Sequence, residues 1–232
     1  MNIKLKKIFI DYIPMALTAV LIIVSAIINN QSFIKTLPTL VTLIVQLMSS
    51  RANRYAFLIG GTNAILYSIA PFSEGLYFSV MSCLCISSPI QYFSFFVWKG
   101  KKNAKDPKKT ELRFLGIKKC IVAVAITVAV WVPFYWLSKP VFNGTLAVLD
   151  SFSFVWSITM SFLSAFRYIE SQYLNILGCV IGIVTWTIIC MENPNNLNYL
   201  VISYYNLFMV IKAVVNWTRQ YINDKREKEL CQ

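Results

Sequence analysis

The apolar residues of this chain come in blocks rather than in stripes. Eight blocks lie near 10–29, 35–50, 54–71, 75–98, 119–138, 144–164, 170–190 and 197–217. A helix needs about 20 mostly apolar residues to cross hydrocarbon, and most of these blocks approach that length. A helix on the surface of a soluble core would instead show one apolar face and one polar face. The block at 35–50 is the shortest and contains Gln46, and the block at 144–164 is interrupted by serines. The first block ends in IINNQSF, without a small-x-small cleavage pattern, and reads as a retained span.

The polar stretches between the blocks sort by charge. With the N-terminus in the cytoplasm, 19 of the 22 Lys and Arg fall on the cytoplasmic side; Lys35 and Lys139 fall outside, and Lys212 lies within the last block. Cytoplasmic loops of membrane proteins carry such an excess of Lys and Arg. Removing one span would divide the basic segments between the two faces. The pattern therefore predicts a multi-pass protein of the cell (inner) membrane with both termini cytoplasmic. The densest basic run, VWKGKKNAKDPKKTELRFLGIKKC at 97–120, holds nine Lys/Arg against Asp106 and Glu111. Between spans it reads as a loop facing anionic lipid, and no nucleic-acid partner is expected. Composition agrees: 57% of the residues are hydrophobic and 14% charged, against about 45–50% and 25% in soluble domains.

Two parts of the chain share an order of features. Residues 37–100 and 149–220 each begin with a span and reach a short basic junction containing Arg-Tyr, at Arg54-Tyr55 and Arg167-Tyr168. Each continues through a second span, an outer loop with Pro (APFSEG; MENPNN), and a third span ending in Trp beside a base, at Trp98-Lys99 and Trp217-Thr218-Arg219. A three-span unit starts and ends on opposite faces, so two like-oriented units need one linking span. The expected plan is an all-α membrane protein of duplicated three-helix bundles. Residues 1–34 form an N-terminal segment and accessory span, 35–100 the first repeat, and 101–143 the basic loop and linker span. Residues 144–220 form the second repeat and 221–232 a charged cytoplasmic tail. Parallel repeats are a known transporter plan, with the site between bundles near mid-depth.

Polar side chains inside a bilayer are costly and face a cavity or another helix. At helical spacing, Asn63 and Tyr67 share a face with Gly60. Ser88, Gln91 and Tyr92 cluster in the fourth block, and Trp156 stands beside a stripe of Ser153, Ser157, Ser161 and Ser164. Gln172, Asn175 and Trp186 follow one side of the seventh block, and Tyr205, Asn206 and Lys212 lie in the last. Each has a structural reading beside the functional one. Serines and glycines let helices approach closely. Trp98 and Trp217 read as interface anchors beside bases, and Lys212 as a side chain snorkelling to the boundary. As a set, these residues combine neutral hydrogen-bonders, which suit hydroxyls and carboxamides, with aromatic faces that attract flat cations by about 2 kcal/mol when dry. The expected ligand is a small, ring-bearing, hydroxylated molecule. Dense anions are disfavoured by the lack of an arginine cluster. Inorganic cations are disfavoured because Asp150 and Glu170 are read as the only carboxylates near the spans. No P-loop is present, and without histidine no Ser/His/Asp set is possible. The six cysteines show no C-x-x-C spacing, so neither an enzyme nor a metal or other cofactor is expected.

QYFSFFVWKGKK at the end of one repeat, the run TWTIICMENPNNLNYL, and the ending YYNLFMVIKAVVNWTRQ resemble the PnuC-type vitamin transporters. That family carries nicotinamide riboside and, in relatives, thiamine, riboflavin and deoxynucleosides. The resemblance covers roughly residues 37–220. It implies a full-length SWEET-like 3+1+3 fold and energy-independent uptake, with a cytosolic kinase trapping the vitamin. It also implies ligand contact at Gln91 and Trp186, and at Asn175 and Asn63. Nicotinamide riboside is the first expectation. Thiamine or a deoxynucleoside on the same fold is the second, and the substrate-binding subunit of a larger membrane complex the third. A homo-oligomer is compatible with all three.

Overall fold

The computed structural model describes residues 3–99, 110–139 and 145–230. The described residues form helices α1 (Ile3–Ile28), α2 (Phe33–Ser50), α3 (Tyr55–Tyr67), α4 (Ile69–Ser73), α5 (Tyr77–Met81) and α6 (Ser88–Lys99). They continue as α7 (Ile117–Ser138), α8 (Thr145–Ala165), α9 (Glu170–Glu192) and α10 (Leu197–Leu230). A π-helical stretch, Ser82–Ser87, joins α5 to α6, and a 3₁₀ turn, Pro194–Asn196, precedes α10. Together they give eight helical stretches long and apolar enough to cross a membrane, at the eight positions the sequence pattern marks. The third is α3 with α4, and the fourth is α5, the π stretch and α6.

Local chemistry sets several of these boundaries. Ser32 caps α2 by accepting the Ile34 N–H at 3.3 Å, meeting one of the donors that a helix start leaves open. The start of α5 is capped from another helix: buried Asp150 of α8 accepts the Phe78 and Ser79 N–H groups at 3.0 and 2.9 Å. A carboxylate is favoured there, beside the positive end of the helix dipole. The turns after α2 and after α8 each place one non-glycine residue in the left-handed region, Ala52 at φ 52° and Arg167 at φ 69°.

Six of the eight spans close into a ring. α2 packs on α3, α3 on α6, α6 on α8, α8 on α9, α9 on α10, and α10 back on α2. α1 lies outside the ring against α10 and α2, and α7 lies outside against α8. α7 exposes Ile121, Val122, Ile126 and Val130. Apolar surface on that scale requires a non-aqueous neighbour, here the acyl chains. With eight crossings, both ends of the described chain lie at one face, termed the terminal face below.

Two expectations are revised here. The lysines of 101–109 lie outside the described residues, and the remainder of the loop before α7 is more than a connector. Residues 110–116 dock on the terminal face, where the Arg113 N–H donates to Arg167 O at 2.9 Å and the Ile169 N–H to Arg113 O at 3.0 Å. Burial, then the nearby Arg113 charge, draws the Arg167 guanidinium below its ordinary value. The second revision concerns α1. Asp11 is buried at 3% exposure and pairs with Lys212 of α10 and with Arg51 at the end of α2. It adds a third carboxylate to the two expected near the spans, and Lys212 turns to it rather than to the boundary. Burial disfavours the Arg51 charge, yet Tyr12 and Asp11 outweigh that and hold the guanidinium above its ordinary value.

Candidate functional site

A cavity of about 210 Å³ lies inside the ring, lined by α2, α3, α6, α8 and α9. Its polar wall is built from a repeated local device. Four helices each aim a polar pair three residues apart into it: Gln46 and Ser49, Gln91 and Ser94, Ser161 and Ser164, Gln172 and Asn175. Residues at that spacing stack on one helix face. Ser171 and the ring of Phe57 complete the wall beside four apolar side chains, and among the described residues none that lines it is charged. Among the described residues, the amides of Gln46, Gln91, Gln172 and Asn175 have no hydrogen-bond partner in the protein. Amides at this depth require partners, so these groups are available to a bound molecule or to water. The site can therefore bind and orient a polar, hydroxylated solute; its side chains supply no nucleophile–base pair.

Glycine shapes one wall. Gly60 of α3 faces Gln91, and a Cβ at Gly60 would collide with the Gln91 Oε1. Only a bare backbone lets that amide lie across α3 and reach the cavity. The π stretch just ahead of α6 shifts the helical phase, and such stretches often accompany functional sites.

Aromatic clusters stand on either side of the cavity along the membrane normal. Toward the terminal face, Phe57 of the cavity wall meets Trp98 edge-on at 4.7 Å. The Trp98 indole N–H donates to Ser164 O at 3.2 Å and to Ala165 O at 3.1 Å, and the Trp217 indole N–H donates to Ser49 O at 3.0 Å. Ser49, Phe57 and Ser164 thus belong to both the cavity wall and its floor. Toward the opposite face, Trp186 stacks on Tyr199 at 4.7 Å and 20°, and Tyr67 meets Tyr199 edge-on at 5.7 Å. Trp186 stands eleven residues beyond Asn175 on α9, about 16 Å at 1.5 Å per residue.

Of the residues singled out from sequence, Gln91, Gln172 and Asn175 meet in the cavity. Ser161 and Ser164 of the serine stripe join them there, and the other candidates for ligand contact lie elsewhere in this conformation. Trp186 and Tyr67 are in the far aromatic cluster. Asn63 ties α3 to α2, donating to Pro38 O at 3.1 Å and Thr42 Oγ1 at 2.9 Å. Tyr92 pairs with Thr62 at 2.8 Å, and Ser88 is buried against Gly61. Trp156 stacks on Phe152 and leaves its buried indole N–H unpaired. Tyr205 packs with Ile22, Leu43 and Met209, and Asn206 is half-buried with its Oδ1 unpaired. Trp98 and Trp217, read as interface anchors, are instead 1% exposed each and part of the floor. The residues missing from the sequence reading are Gln46, Ser49, Ser94, Ser171 and Phe57. Gln46 carried a signal, since it is a lone amide in an apolar span; the serines and Phe57 did not differ from ordinary packing residues.

Comparison with known proteins agrees with this geometry. Residues 32–219 match the family model for the nicotinamide mononucleotide transporter. The chain is 25% identical over 168 residues to the nicotinamide riboside transporter PnuC of Neisseria mucosa, across 70% of this chain. The matched stretch covers 63% of that relative, so the chain spans less than two thirds of its length. A crystal structure of the vitamin B3 transporter PnuC superimposes with a TM-score of 0.79 at 19% identity, covering 90% of this chain and 91% of the other. That likeness establishes a shared fold. The chain belongs to the nicotinamide mononucleotide transporter family, which is a family of transporters and not of enzymes.

Proposed function

We propose that this protein carries nicotinamide riboside across the cell membrane by facilitated diffusion, through the cavity walled by Gln46, Gln91, Gln172 and Asn175. One observation carries the reading: the cavity wall is polar, and among the described residues none that lines it is charged. A phosphate monoester carries close to two negative charges near pH 7, and burying it requires cationic partners. The wall has none, so it favours the riboside over the mononucleotide. Neutral amides and hydroxyls match the ribose hydroxyls and the carboxamide. The Phe57 face offers a surface for the pyridinium ring. The Neisseria relative, a nicotinamide riboside transporter by name, points the same way.

Alternating access follows from a duplicated plan. The neighbour pattern supports it: exchanging α2, α3 and α6 for α8, α9 and α10 maps every contact of the ring onto another. Rocking one triplet against the other opens the Trp98–Trp217 floor in one state and the Trp186–Tyr199 cluster in the other. We place the terminal face in the cytoplasm, on the distribution of Lys and Arg. Phosphorylation of the riboside by a cytosolic kinase then adds the charge this cavity rejects and prevents return.

Uptake into proteoliposomes containing only this protein tests the proposal. Radiolabelled riboside should enter down its gradient and equilibrate, and unlabelled riboside should compete better than thiamine or a deoxynucleoside. Equal uptake of the mononucleotide overturns the choice of cargo. Binding without any uptake favours a subunit of a larger complex.

A further inference from the structure

We propose that residues 110–116, between the basic run and α7, form a latch across the terminal face that holds the cavity floor shut. The inference rests on the reading of the cavity as a transport site, but not on the identity of its cargo.

The segment is fastened by polar contacts to one half of the molecule. Besides the two backbone bonds with Arg167 and Ile169, the Leu115 and Gly116 N–H groups both donate to Glu170 Oε1 at 2.9 Å. Gly116, at φ 95°, makes the turn that aims both donors at one oxygen. The Arg167 guanidinium donates to Glu111 O at 3.0 Å, and the Gln220 amide to Thr110 O at 2.8 Å. All of these partners lie on α9, α10 or the turn between α8 and α9.

The one deeply buried apolar side chain of the segment goes elsewhere. Leu112 is 5% exposed and packs in a cluster that joins Trp98 and Ala52 of the first half to Trp217, Ala213 and Ile169 of the second. This is the seam of the floor. Opening it pulls Trp98 from the Ser164 and Ala165 carbonyls and Trp217 from the Ser49 carbonyl. Leu112 is buried in the same cluster as both indoles, so parting the two halves there loosens its packing. Docking of Leu112 and closure of the floor therefore stabilise each other, as linked equilibria must. A connector serving only to join two helices would need the polar fastenings, and would have no reason to bury a side chain between the moving parts.

The test reads floor opening directly. Ser164→Cys, introduced in the full chain in inside-out membrane vesicles, reports access to the cavity from the terminal face. A membrane-impermeant maleimide is applied, and modification at position 164 is followed by mass spectrometry. Adding Leu112→Ala should raise the labelling rate several-fold, Gln220→Ala should raise it less, and Leu112→Met should stay near the parent. An unchanged rate in a folded Leu112→Ala variant overturns the latch. If that variant does not fold, Glu170→Gln and Gln220→Ala carry the test, and unchanged labelling in both overturns it. Faster labelling with failed riboside uptake would sink the cargo assignment and leave the latch standing; normal uptake with unchanged labelling would do the reverse.

Discussion

Trp98 and Trp217 stand with ring centroids 5.7 Å apart, and each gives its indole N–H to the helix end that begins the other half, Trp98 to α8 and Trp217 to α2. Ser49 O also accepts the Ala52 N–H at 2.9 Å, and Ser164 O the Arg167 N–H at 3.0 Å, so each indole adds a hydrogen bond at a helix end and ties that end to the opposite half. The exchange is reciprocal, and it lies at the seam where the two triplets meet.

Replacing either tryptophan by alanine should therefore cost stability on a similar scale, about 3–5 kcal/mol for loss of a buried Trp. Trp→Phe should cost less, about 0.5–1.5 kcal/mol for the lost hydrogen bond. Because the rings touch, the double variant should fall short of the sum. Thermal unfolding of detergent-purified protein measures all three. Strict additivity would mean that the two rings do not act as a unit.

Asp11 joins α1 to the α2–α10 seam. Asp11→Asn leaves Lys212, whose side chain is 14% exposed, without its counter-charge, and removing one member of a buried pair costs about 3–5 kcal/mol. The Arg51 side adds little, since that side chain is 39% exposed and screened by solvent. The double variant Asp11→Asn/Lys212→Met should recover much of the loss. Melting temperatures of the two variants decide the matter, and no recovery in the double would place the role of Asp11 elsewhere.

Gly60 predicts a defect in binding more than in folding. A Cβ at Gly60 meets the far end of the Gln91 side chain, which can swing aside. Gly60→Ala should leave the melting temperature within a few degrees of the parent while weakening riboside binding about ten-fold, the equivalent of one lost hydrogen bond. Binding equal to the parent would mean that Gln91 does not hold the ligand.

Trp186 separates two readings of the same residue. Its place against Tyr199, about 16 Å along α9 from Asn175, gives it a role in closing the far end. Trp186→Ala should lower thermal stability by about 3–5 kcal/mol and weaken riboside binding less than Gln172→Leu does. A larger binding defect at Trp186 than at Gln172 would put the ring on the ligand.

The spans were legible because burial in lipid demands whole apolar blocks, and their charge pattern fixed the count. Gln91, Gln172 and Asn175 were legible because an amide deep in a span must face something polar. Trp98 and Trp217 misled because Trp beside a base at a span end is the pattern of an interface anchor; only the packing of one triplet on the other turns them inward. Asp11 escaped notice because it sits at the margin of the first block, where an acid looks terminal, and its partners are 40 and 201 residues away. The docking of 110–116 depends on backbone groups, which leave no trace in residue type. The π stretch Ser82–Ser87 likewise carries no compositional mark.

Calorimetric titration of the purified protein tests the neutral-cavity claim most directly, with nicotinamide riboside and its mononucleotide as the two ligands. The account predicts that the riboside binds the parent chain more tightly than the mononucleotide, and that Gln172→Leu weakens riboside binding about ten-fold while Tyr92→Phe does not. Mononucleotide binding as tight as that of the riboside, or an unaltered Gln172→Leu, would contradict it.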